Sequence, residues 1–105
     1  MKKTLVVALM LMLVLCAGGA SSEAVEPMKL RIGATPVPHA EILEIAKPIL
    51  EAKGIQLEVI EFTDYVTPNI ALDDGDIDAN YFQHIPYLED FAEARRLNIT
   101  YIARV

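Results

Sequence analysis

Positive charge is scarce in this sequence. Nine lysines and arginines face fifteen aspartates and glutamates, for a net charge of −6. Lys2 and Lys3 stand at the very start, so the rest of the chain is more acidic still. An acidic surface argues against nucleic acid and anionic membrane faces as partners, because both need basic patches. Cysteine is nearly missing, with Cys16 the sole example. No disulfide can close within one chain, so an oxidising compartment is permitted but not used. Histidine is limited to His39 and His84. Neither has a partner at metal-ligand spacing, and zinc needs a third ligand. There is no glycine-rich phosphate loop, no nucleophile elbow, and no Ser or Thr set beside a base. No catalytic set, metal or cofactor is therefore expected.

The acidic run Asp73-Asp74-Gly75-Asp76-Ile77-Asp78 invites a calcium reading. An EF-hand loop needs Gly sixth and Glu twelfth. Counting from Asp74 puts Ala79 and Ile85 there, so the run reads as a solvated turn stopped by Gly75.

Long apolar runs are also few. Leu5 to Ala17 is the exception, and it is short for a bilayer. Behind Lys2 and Lys3 it has the order of a signal peptide, predicted over residues 1–20. Cys16 closes that run, and Leu13-Val14-Leu15-Cys16 resembles a lipobox, with Leu15 where a small residue is usual. Cys16 is the candidate lipidation site; ordinary cleavage after Ala20 or Ala24 is the alternative. Residues 21–27 read as a tether, and 28–105 as one folded unit.

Within that unit, apolar and polar residues alternate over Met28–Gly33 and Ile55–Phe62, which predicts strands. Asp78–Phe82 and Ile99–Val105 are the third and fourth strand candidates. Ile42, Leu43, Ile45, Ala46, Ile49 and Leu50 recur at helical spacing over 40–53, with Pro48 expected to kink or break the helix. Thr67-Pro68 reads as an N-cap with proline at the first helical position, opening a helix to Asp74. Pro86 opens another, to about Arg96. Two prolines in Ala34–His39 predict an extended loop. The order β-α-β-α-β-α-β means α/β, with a mostly parallel sheet flanked by helices. Ligands of such sheets bind beyond the carboxyl ends of the strands. Loops 35–39, 63–66 and 82–86 all follow strands and so share that edge. The densest chemistry lies in Asn80-Tyr81-Phe82-Gln83-His84, ahead of Pro86. Tyr81 and Phe82 are consecutive, so in a strand they face opposite sides.

Three separated stretches carry a resemblance: Gly33-Ala34-Thr35-Pro36-Val37-Pro38-His39-Ala40-Glu41-Ile42-Leu43, Glu61-Phe62-Thr63-Asp64-Tyr65-Val66-Thr67-Pro68-Asn69, and Asp76 through His84. In that order they resemble the NlpA/MetQ family, the methionine-binding lipoproteins of ABC importers. The resemblance implies a periplasmic-binding-protein fold of the type II kind, of which residues 28–105 would be a partial N-terminal lobe with the second lobe absent. It implies L- or D-methionine as ligand, an ABC permease and its ATPase as partners, and a lipid anchor on the membrane. Location would then be the outer or periplasmic face, or the soluble periplasm or exterior if Cys16 stays unlipidated. By position, Tyr65 and Phe82 match the aromatics that hold the thioether, and His84 matches a contact at the same pocket. Tyr81, Gln83 and Asn80 belong to the same motif. The family's carboxylate-clamping arginine and asparagines would lie beyond Val105. Other readings stand beside this one: a binder of another small amino acid or a methionine-containing dipeptide, a truncated remnant, or a small exported enzyme using His84.

Overall fold

The computed structural model describes Gly19 and residues 25–105. Cys16 and nearly all of the predicted signal peptide and tether lie outside the described residues. The described chain is α/β. Three strands, β1 (Met28–Ala34), β2 (Ile55–Glu61) and β3 (Ala79–Tyr81), form one parallel sheet in the order β2-β1-β3. Its helices are α1 (Glu41–Glu51), α2 (Thr67–Asp73) and α3 (Ile85–Arg95). None is long and apolar enough to cross a membrane.

β1 is central because it pairs on both sides. Met28 to Ala34 run in register with Ile55 to Glu61, and Ile32, Gly33 and Ala34 pair with Ala79, Asn80 and Tyr81. Ala34 is fully buried, and Leu57, Ile77, Leu88, Phe82, Ala40 and Ala71 join it in the small core. Burying one aliphatic side chain of the larger kind contributes about 1.5–3 kcal/mol. Gly33 lies where the sheet meets both neighbouring loops. A Cβ there would stand 2.7 Å from the Phe62 ring and 2.8 Å from Ile77 Cδ1. Only glycine leaves room for both.

Several expectations need correction. Residues 99–105 alternate in sequence but join no strand in the described chain. Alternation makes a strand only where a neighbour supplies ladder hydrogen bonds, and β3, at the sheet's edge, is three residues long. Residues 36–40 form a tight turn through a cis Val37–Pro38 peptide, not a wholly extended loop. Ala40 N–H donates to the Thr35 carbonyl at 2.9 Å, and extended backbone is confined to Thr35 and Val37 around the first proline. The turn runs straight into α1.

Pro48 does not break α1, which continues to Glu51. It falls in the last turn, where a missing N–H removes one bond and leaves little helix to redirect. The apolar face of α1 is wider than the sheet covers: Leu43, Ala46 and Leu50 are half-buried, while Ile42, Ile45 and Ile49 are exposed. α3 starts at Ile85, so Glu89 and Asp90 fall outside its first turn, although Arg95 does occupy the last.

Candidate functional site

The order β2-β1-β3 reverses direction at β1, and the crevice at such a point is where open parallel sheets take ligands. The loops leaving β1, β2 and β3 open on this edge. His39, Tyr65, Tyr81, Phe82, His84 and Tyr87 line one open groove there.

Tyr65 reaches the groove on the turn between β2 and α2. That turn is held by Asp64, whose Oδ2 accepts from the N–H of Val66 (3.0 Å) and of Thr67 (2.7 Å). Thr67 is the cap that the sequence predicts; Asp64 does that work instead, from three residues earlier. The Thr67 N–H above all, then the Thr67 side chain, hold the Asp64 carboxyl below its ordinary range. Pro68 sits in the first helical turn of α2, where a missing N–H costs nothing.

Phe82 reaches the groove from the end of β3, and a cluster of three side-chain amides fixes the backbone around it. Asn69, on α2, is fully buried. Its Nδ2 donates to Gln83 Oε1 (2.8 Å), and Gln83 Nε2 donates back to Asn69 Oδ1 (2.7 Å). Asn80 Nδ2 donates to Asn69 Oδ1 (2.9 Å) and to the Pro68 carbonyl (3.2 Å). Gln83 Nε2 also donates to Asn80 Oδ1 (3.2 Å). Both amide hydrogens of Asn80 and both of Gln83 are thereby engaged. Neither side chain has a donor left for a ligand.

The turn into β3 is fixed from the other side. Arg31 brackets Asp78 through Nη2 to Oδ1 (3.1 Å) and through its backbone N–H to Oδ2 (2.8 Å). The Arg31 side chain, and next its N–H, lower the Asp78 pKa. Asp73 Oδ1 accepts from the Asn98 N–H (3.0 Å). Two acidic residues of the run 73–78 are thus tied to structural partners.

Tyr65 and Phe82 lie nearly parallel, at 6° with ring centroids 6.2 Å apart. Tyr65 is 64% exposed and Phe82 only 9%. Tyr87 stands edge-on to Phe82 at 6.2 Å. Tyr81, on the opposite face of β3, meets His39 edge-on at 4.6 Å, and His39 Nδ1 is 2.7 Å from the buried Thr35 hydroxyl. His84 caps α3: its Nδ1 accepts from the Tyr87 N–H at 3.3 Å. A backbone N–H can only donate, so the neutral ring carries its proton on Nε2. The exposed side of His84 is therefore a hydrogen-bond donor.

The structure brings Tyr65, Phe82 and His84 onto one groove; Tyr81 borders it beside His39, and Asn80 and Gln83 line it with their amide hydrogens already engaged. Sequence reasoning passes over Asn69 as part of this edge, whereas loop 35–39 already brings His39 to it. Asn69 is a polar residue just inside a proline-opened helix, a weak signal that something must satisfy its amide.

Fold and groove together define an α/β unit with an aromatic ligand edge at a sheet switch point. Residues 30–105 match the NlpA lipoprotein family model. The chain is 48% identical over 92 residues to the methionine-binding lipoprotein MetQ of Bacillus subtilis, covering 85% of this chain and 34% of that protein. It is 33% identical over 91 residues to the D-methionine-binding lipoprotein MetQ of Salmonella typhimurium, covering 86% of this chain and 34% of that one. The crystal structure of a pheromone cOB1 precursor/lipoprotein of the YaeC family from Enterococcus faecalis superposes with a TM-score of 0.64 at 57% identity, over 65% of this chain and 28% of its own. The chain belongs to the NlpA lipoprotein family and spans about a third of the length of the curated relatives it matches.

Proposed function

We propose that this chain supplies one wall of a cleft that holds methionine, in a substrate-binding lipoprotein that passes the amino acid to a membrane permease and its ATPase. The role is binding, not catalysis. Export and anchoring through Cys16 would place it on the outer or periplasmic face of the membrane.

One observation carries this reading: Tyr65 and Phe82 stand as near-parallel rings on the ligand edge, with His84 beside them. A thioether against an aromatic ring gains about 0.3–1.5 kcal/mol per contact. A flexible apolar side chain suits such a wall better than a grid of hydrogen bonds. The Nε2–H of His84 offers a donor to an acceptor atom of the ligand. The names of the Bacillus and Salmonella relatives support methionine as the substrate and leave its handedness to be measured.

Calorimetric titration of the lipoprotein with both walls of the cleft present, using L-methionine, D-methionine and norleucine, tests the proposal; this chain alone should bind methionine weakly or not at all. Methionine should bind more tightly than norleucine, which keeps the shape and lacks the sulfur. Tyr65→Ala and His84→Ala should each weaken binding by about tenfold, the equivalent of one lost contact of 1.4 kcal/mol. Unchanged affinity in both variants overturns the site.

A further inference from the structure

Tyr65 arrives on the loop after β2, Phe82 and His84 on the loop after β3, and one residue touches all three. Tyr87 donates its hydroxyl to the Tyr65 carbonyl at 2.6 Å. Its ring stands edge-on to Phe82, 6.2 Å between centroids. Its backbone N–H donates to His84 Nδ1 at 3.3 Å, and the two rings lie 6.5 Å apart. Its other flank rests on Phe91 at 5.8 Å, and the Arg95 guanidinium covers that ring at 4.8 Å. The support therefore runs back along α3, three and four residues at a step, as side chains on one helix face do.

We propose that Tyr87 is the positioning residue of the groove, setting the spacing of Tyr65, Phe82 and His84 through three separate contacts. This rests on the ligand reading above. Each contact fixes a different quantity. The hydroxyl holds the Tyr65 turn down onto α3, across 22 residues of sequence. Asp64 fixes the shape of that turn but only from within itself, so Tyr87 supplies a tie to a separate element. The ring limits how far Phe82 can rotate. The N–H selects the tautomer of His84, leaving Nε2–H as the donor that faces outward.

Tyr87→Phe removes a single oxygen and keeps the ring, its packing and the backbone N–H. It should fold as the parent does. Two readouts then separate positioning from bulk stability. The first needs no ligand: nuclear Overhauser contacts between the Tyr65 and Phe82 rings should weaken or vanish in Tyr87→Phe, with the melting temperature little changed. The second is calorimetry with methionine, where affinity should fall about fivefold, the range of one neutral hydrogen bond. Ring contacts that persist in the variant overturn the proposal, whatever the ligand does. Ring contacts that vanish while methionine affinity holds also overturn it. If the parent lipoprotein with both walls of the cleft takes up no methionine, the ligand reading falls, and loss of the ring contacts alone still upholds Tyr87 as the tie between the loops.

Discussion

Two loops carry the aromatic wall, and they are built on opposite principles. The loop after β2 presents Tyr65 on an exposed turn shaped by one carboxylate, with both of its internal bonds reaching backbone N–H groups nearby. The loop after β3 presents Phe82 from a nearly buried position, over three amides that bond one another across 11 to 14 residues. The first loop owes its shape to local chain chemistry. The second owes its shape to tertiary contact. A local turn can move as a unit while keeping its form; a cross-linked one cannot move without leaving buried amides unpaired. Phe82 is thus the wall locked by buried amides, while the turn of Tyr65 is tied to the rest of the groove through the Tyr87 hydroxyl.

That contrast can be broken most forcefully at Phe82. Phe82→Ala should cost about 3–5 kcal/mol of stability, as truncation of a buried phenylalanine does. Urea unfolding of the full chain measures it. Asn69→Leu should come next, at about 2–4 kcal/mol, because two partly buried amides lose their common partner while only the branched side-chain skeleton is kept. A midpoint equal to that of the parent would show that the amides do not lock the second loop. Gly33→Ala should cost about 1–3 kcal/mol, since the new methyl meets a rigid ring on one side. Tyr65→Ala should shift stability by no more than about 0.5 kcal/mol, as an exposed side chain does, while weakening methionine binding. The same urea series on Tyr65→Ala, paired with titration, sharpens the division between the two walls.

The smallest effect is a pH dependence of the first loop, separate from that of Asp78 at the entry to β3. The folded Asp64 pKa lies below the ordinary 3.8. Its contribution is therefore fully present above that value and is lost as the pH falls through the lower folded one. Amide exchange at Val66 and Thr67, corrected for intrinsic rate, should lose protection in that acid window. Asp64→Asn should flatten the change. The loop of Phe82 should show no matching step from its amides, which do not titrate.

The same contrast separates the features legible in the chain from those that are not. β2, α1 and the helices opened by Pro68 and Pro86 are legible because alternation, helical spacing and proline are local signals. Tyr65, Phe82 and His84 come from motif resemblance, and the switch-point geometry gives their shared edge a physical reason. The Asp64 cap is hidden because Thr67, directly before the proline, offers a competing oxygen at the usual capping position. The role of Asn69 is invisible in sequence, since an amide reads the same whether it meets solvent or two other amides. Residues 99–105 show the reverse error: alternation is a property of the segment, but a strand is a property of a pair.

Gly33 has a consequence for anyone redesigning the groove. Phe62 at the root of one loop and Ile77 just before the other strand both close on the same bare backbone carbon. The root of the Tyr65 loop and the entry to β3 therefore meet at one backbone carbon, with no slack for a methyl group. Enlarging either would push on the other, so a new ligand preference is best written at the tips, at Tyr65 and His84, where a change stays local.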